Sequence, residues 1–171
     1  MALLKILEFP DPKLRQRASE VTVFDNILKT TCEDMLETMY NAKGIGLAAI
    51  QVNILKRIVV IDLSEEKNNP LIFVNPEIIK ISVDTKQHGE GCLSVPGIYE
   101  NVTRPDSFIG KYQDLDGLEH KLEADGLLSV CLQHEIDHLN GRVFVDHLSR
   151  LKQEKIIRKL QKEKRRLLAE A

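Results

Sequence analysis

Two histidines and a glutamate in the string His134-Glu135-Ile136-Asp137-His138 carry the strongest chemical signal in this 171-residue chain. On a helix, side chains at i and i+4 project from one face with Cβ atoms about 6 Å apart, so two imidazoles there can hold one metal ion. Glu135 stands beside the first histidine, where it reaches water at the metal rather than the metal itself, as the general base of an HExxH arrangement. The alternative is a helix that carries two histidines by chance. Two buried imidazoles without partners would each cost about 1–3 kcal/mol, and a metal removes that cost.

A catalytic site commonly takes three protein ligands and keeps one position open. In an HExxHxxGxxH continuation Gly141 matches, but the last position is Phe144, which cannot ligate. Glu154 and Glu163 lie in a basic terminal segment that reads as solvated. Upstream, Cys92 sits in the Gly-rich turn Glu90–Pro96, and its thiolate suits a borderline-soft divalent metal. Cys32 continues a core stripe, whereas Cys131, one turn before His134, reads as pocket lining. Two other readings stay open on these residues. With Glu154 or Glu163 as third ligand the chain would be a metalloendopeptidase. With Cys131 or His147 as a fourth ligand it would be a closed, structural metal site attached to an RNA-binding tail.

The elements that must position these residues follow from periodicity. Helical spacing runs from Asp25, a candidate N-cap, through Leu28, Cys32, Met35, Leu36 and Met39 to Asn41. Arg57 to Leu63 reads as a buried strand, and LIFVNP and EIIKIS as two more strands broken at Pro76. Tyr99 to Tyr112 reads as one strand, followed by a turn over Gln113 to Gly117. A second helix is expected from about Glu123 to Asn140, with Leu127, Val130, Cys131, His134 and His138 on one face and Gly141 just past its end. Leu148 to Ala171 reads as an amphipathic terminal helix. The fold class is α+β: short antiparallel or mixed strands around a buried central helix carrying the two histidines. The expected organisation is a catalytic domain over 1–147 with a basic helical extension over 148–171.

Composition narrows the class further. The formal net charge of −2 hides a split, since nine Lys and Arg against three Asp and Glu fall between Leu148 and Ala171. The rest of the chain is mildly acidic, so a uniformly basic nucleic-acid binder is excluded. Few aromatics and no tryptophan argue against a stacking platform for single strands. No apolar run is long enough to cross a membrane. The opening MALLKILEFPD is broken by Lys5 and Glu8 and has no cleavage-site pattern, so no signal peptide is expected. Three cysteines, an odd and sparse set, suit a reducing compartment. A cytoplasmic protein is therefore expected.

Three segments, GIGLAAIQ at Gly44–Gln51, EGCLSVP at Glu90–Pro96 and QHEIDHL at Gln133–Leu139, occur in this order. With the opening FPDPKLRQRA and the lengths between them, they make the whole chain resemble the peptide deformylases, most of all the bacterial form with a basic helical tail. The resemblance implies a metal-dependent hydrolase that removes the formyl group from the N-terminal formyl-methionine of nascent polypeptides. It implies one divalent ion per chain, held by Cys92, His134 and His138: Fe²⁺, with Ni²⁺, Co²⁺ or Zn²⁺ able to substitute. Glu135 would take a proton from water and deliver it to the leaving amine. The Gln51 side-chain amide and the backbone N–H of Leu93 would donate to the developing oxyanion.

Gly44 and Gly46 are implied to let an extended substrate pair in β fashion. Ile45, Leu127, Val130, Cys131 and His134 would line the methionine pocket. Glu90 and Arg104 are expected to pair behind the Cys92 turn. Tyr99, where relatives often carry arginine, receives no role. The terminal helix is implied to dock on the ribosome near the peptide exit, on rRNA or a ribosomal protein, and the chain is expected to be a monomer.

Overall fold

A computed structural model describes residues 2–170; Met1 and Ala171, the outer ends of the two expected spans, lie outside them. The first helix, α1 (Asn26–Asn41), starts where the Asp25 carboxylate accepts the Leu28 N–H. Its stripe of Leu28, Cys32, Met35, Thr38 and Met39 is buried. Strands β1 (Gly46–Ala48), β2 (Ile58–Ile61) and β3 (Leu71–Ile81) then form an antiparallel sheet. A hairpin of β4 (Thr85–Cys92) and β5 (Val95–Pro105) follows. Next, β6 (Phe108–Gln113) and β7 (Glu119–Ala124) complete a five-stranded sheet of order β1-β2-β3-β6-β7. The chain ends in α2 (Gly126–Leu139), a 3-10 turn over Phe144–His147, and α3 (Arg150–Glu170).

The architecture is α+β, with every ladder antiparallel and one isolated parallel bridge, Ser19 to Lys56. All four residues of β2 are fully buried. Ile58 and Val60 face the cluster built on α1, while Val59 and Ile61 face the cluster that takes in Leu132, Ile136 and Leu139 of α2. A strand covered on both faces must be apolar throughout, which is why this segment shows no alternation. Among the described residues no helix is long and apolar enough to cross a membrane.

Three boundaries differ from the sequence reading. Pro76 does not end a strand. It sits inside β3 at a register shift between Val74 and Glu77, beside Asn75 at φ +51°. A bulge is where a strand tolerates a residue without an N–H, and the Asn75 side chain secures it by bonding both polar groups of the Val21 backbone. The expected single strand from Tyr99 to Tyr112 is two strands, β5 and β6, turned at Asp106 and Ser107. The second helix begins at Gly126 rather than near Glu123, because Glu119–Ala124 pairs with β6. Gly141 does follow α2 at φ +77°, and the Arg15 carbonyl occupies the space a Cβ would need.

The first half of α3 lies on the core. Ile156 is buried, and Leu148, Ile157 and Leu160 pack beside it. Leu151, Leu167 and Leu168 are exposed.

Candidate active site

Cys92 ends β4, and α2 carries His134 and His138 one turn apart on its buried side. The Cys92 Sγ lies 3.3 Å from His138 Nε2, and that nitrogen lies 3.3 Å from His134 Nε2. All three donor atoms fall within 4.8 Å of one another, the one such group among the described residues. Glu154 and Glu163 are not brought here. Their side chains are 56% and 53% exposed on α3, paired with Arg150 and Arg166. His147 points elsewhere, to Asp137, and Phe144 stacks on the His134 ring.

Behind the donors lies a hydrogen-bonded shell. His134 Nδ1 donates to Glu90 Oε1 at 2.9 Å, which aims Nε2 at the other two donors. Arg104, 4% exposed, grips Glu90 with two bonds and gives a third to Asp137 Oδ2. The expected Glu90–Arg104 pair is thus present, with Asp137 added. Burial would raise the Glu90 carboxyl, but the bonds from His134 and Arg104 bring it to about 2. At His134, burial is overcome by hydrogen bonds with Cys92 and Glu90, and the imidazole titrates well above its ordinary value. At His138, burial and the His134 charge push the imidazole well below it.

Gln51, in the 3-10 turn after β1, is buried. Its Oε1 accepts the Ala48 N–H, which turns Nε2 toward Cys92 Sγ at 3.4 Å and Ser94 Oγ at 3.0 Å. The N-terminal segment ties these pieces together: Leu7 N–H donates to the Gln51 carbonyl and Phe9 N–H to that of Ser94.

These groups open onto a cavity of about 480 Å³. Gly44, Ile45, Gly46, Leu127, Val130, Cys131 and His134, all expected at a substrate pocket, line it, as do Gln51, Cys92, Leu93 and Glu135. His138 is fully buried behind them. Leu127 and Ile45 stand partly in solvent at its rim. A Cβ on Gly44 would meet the tip of the Leu93 side chain 2.6 Å away, so a larger residue there would have to displace Leu93 from the cavity wall. Gly91 is crowded in the same way by the ring of its cross-strand partner Tyr99, which is 78% exposed at the cavity.

Glu135 Oε1 lies 3.6 Å from His134 Nε2, and its buried Oε2 has no hydrogen-bond partner. Burial raises this carboxyl to about 7, against the opposing charge of His134. The Cys131 thiol is pushed up to about 12, first by burial and then by Glu135, so it is neutral pocket lining.

Three donors this close repel one another unless a proton or cation stands between them. A thiolate with two imidazoles is a nitrogen–sulfur set that fits a borderline divalent ion and leaves a coordination position free. Ser94 and Asp137 received no role from sequence, Phe144 was set aside there as unable to ligate, and His147 was named only as a fourth ligand of a closed site, which the structure does not bring to the other donors. Asp137 carries a local signal, as a second charged residue beside Glu135 on a largely buried helix.

The model of the family "Polypeptide deformylase" matches residues 3–154. A peptide deformylase from Pseudomonas aeruginosa is 56% identical over 165 residues, covering 96% of this chain and 98% of that protein. "Peptide deformylase 1" from Pseudomonas syringae is 55% identical, covering 95% and 97%. Among solved structures, a peptide deformylase from Legionella pneumophila superposes with a TM-score of 0.92 at 46% identity, covering 99% of each chain. One from Ehrlichia chaffeensis in complex with actinonin gives 0.92 at 41% identity, covering 96% and 99%. With a family match over most of its length and relatives of this identity, the chain belongs to the polypeptide deformylase family.

Proposed function

We propose that this chain hydrolyses the formyl group from the N-terminal formyl-methionine of nascent polypeptides and releases formate, working with one divalent metal held by Cys92, His134 and His138. The observation that carries the reading is the convergence of these donors at the wall of a cavity, beside a carboxylate with an unpartnered oxygen. When bound, the ion supplies Lewis acidity that activates water and polarises the formyl oxygen. Fe²⁺ is the proposed ion, with Ni²⁺, Co²⁺ or Zn²⁺ as substitutes, as the family implies; the donor set itself supports a borderline divalent ion.

The chain's own residues do the rest. Glu135 takes a proton from the attacking water and returns it to the leaving amine, a role worth about 10²–10⁴ in rate. Its elevated titration point suits both halves of that task. The Gln51 amide, already oriented by Ala48, and the Leu93 backbone N–H donate to the oxygen as it gains charge. One such donor contributes about 2.7–4 kcal/mol. The backbone at Gly44–Gly46 pairs with the extended peptide, while Ile45, Leu127, Val130 and Cys131 surround the methionine side chain. This cytoplasmic role uses residues 1–147 as the catalytic unit and 148–171 as its extension. The exposed basic half of α3 docks on ribosomal RNA or protein near the peptide exit, through phosphate contacts that weaken steeply with salt. The protein works as a monomer.

The test is deformylation of formyl-Met-Ala-Ser with anaerobic metal analysis on the same sample. Cys92→Ala is expected to lose both metal and activity; full activity in that variant overturns the assignment. Exposure to air should inactivate the iron form, since the metal and the thiolate both oxidise.

A further inference from the structure

Five side chains form one hydrogen-bonded chain that leaves α2 and returns to it. His134 Nδ1 donates to Glu90 on β4, and Arg104 on β5 bridges Glu90 to Asp137 on α2. Asp137 Oδ2 accepts two donors at 2.9 Å each, Arg104 Nη1 and His147 Nε2. His147 closes the outer end, from the 3-10 turn that leads into α3. The same four-residue turn also carries Phe144, whose ring stacks on His134 at 5.9 Å between centroids and 26° between planes. The turn itself is pinned, because Asp146 accepts the Val143 N–H and pairs with Arg15.

We propose that His147 is a positioning residue for His134, holding the orientation of that ring through Asp137, Arg104 and Glu90. The inference rests on the reading of His134 as a metal ligand. The Asp137 side chain is 20% exposed and that of His147 31% exposed, so the link lies where solvent competes for the carboxylate. An imidazole there supplies a fixed donor and keeps Oδ2 from being shared with mobile water. Losing it leaves Arg104 Nη1 as the one protein donor to that oxygen, and the fork that grips Glu90 gains freedom to shift. The Glu90 carboxylate that sets the His134 ring on its Nδ1 side is then held less firmly, while the ring keeps its packing on Phe144 and His138. The direct partner of a ligating histidine tunes metal affinity; here that partner is Glu90, and His147 acts on it through Asp137 and Arg104.

The test uses the full chain stripped of metal and reloaded with Co²⁺. Affinity is read by chelator competition, geometry by the cobalt absorption bands, and catalysis as kcat and KM separately. His147→Ala is expected to weaken Co²⁺ binding about tenfold, and His147→Gln, whose amide Nε2 reaches the same oxygen, to restore it to within about twofold. kcat should fall in the alanine variant while KM holds, and the cobalt bands should shift. Wild-type affinity and spectrum in His147→Ala overturn the proposal. So does a glutamine variant as impaired as the alanine one, or a lower apo-protein Tm with metal affinity unchanged. His134→Ala separates the two readings. If it too binds Co²⁺ as the wild type does, the ligand assignment itself fails; if it alone binds weakly, only the role of His147 fails.

Discussion

Arginine meets carboxylate in two regions of this molecule with opposite physical meaning. Around the candidate metal centre, Arg104 and Glu90 are enclosed and Asp137 is mostly so, each with assigned partners. Along the outer half of α3, Arg166 lies beside Glu163 and Glu170 on an exposed face. Enclosed charges attract strongly, but removing one partner strands another in a poor solvent. Exposed pairs trade protein contacts for equivalent water contacts and are screened by salt. The inner group therefore holds geometry, while the outer one keeps a helix soluble and its cations available. Counting ion pairs would treat the two alike; burial separates them.

The sharpest way to break this contrast is at the carboxylate that makes no ion pair with arginine. Glu135→Gln should lower kcat about 10²–10⁴-fold with metal content unchanged, checked by steady-state kinetics beside metal analysis. Arg104→Ala should destabilise the fold by about 3–5 kcal/mol in urea unfolding, because it leaves Glu90 and Asp137 without their cation. A loss no larger than that of a surface variant would erase the distinction between the regions.

Asp62 sharpens the contrast. It is a buried carboxylate satisfied by neutral donors: the Tyr40 hydroxyl, the Ser64 hydroxyl and N–H, and the Asn69 N–H. Burial would raise it, yet these bonds bring it to about 2. Its folded value is below its unfolded one, so its stabilisation is complete above pH of about 4 and is lost as pH falls toward 2. Asp62→Asn should accordingly lower Tm at pH 7, with the deficit shrinking in acid, in melts across that range. Arg166→Ala should leave Tm unchanged. Truncation after Leu160 should leave deformylation of short peptides intact and weaken ribosome co-sedimentation at low salt; unchanged co-sedimentation would remove the docking role of α3.

How far the sequence could be read depended on how local each cause was. His134, Glu135 and His138 were legible because helical spacing alone groups them, and β2 because continuous β-branched residues mean burial on both faces. The strand over Thr85–Cys92 was not legible: Gly89 and Gly91 weaken any strand signal, and its cause is pairing with a segment several residues later. Pro76 misled because a bulge, held by Asn75 across to Val21, is a tertiary solution to a local defect. Glutamine is mostly exposed in folded proteins, so residue type alone does not place Gln51 in the core; its side chain is tied there by Ala48 and Ser94. The Glu90–Arg104 pair was anticipated from the resemblance, whereas the links onward to Asp137 and His147 exist only once β5, α2 and the turn before α3 are packed together.

The crowding of Gly91 by Tyr99 carries a consequence for how this protein can change over generations. The two positions act as a single volume shared between facing strands. A larger residue at 91 is tolerated only if 99 gives up its ring or swings it away from the cavity mouth, while a smaller residue at 99 frees 91 to vary. Drift at the mouth of the cavity is therefore paired: a change at 91 moves or removes the ring at 99, and with it one wall of the entrance.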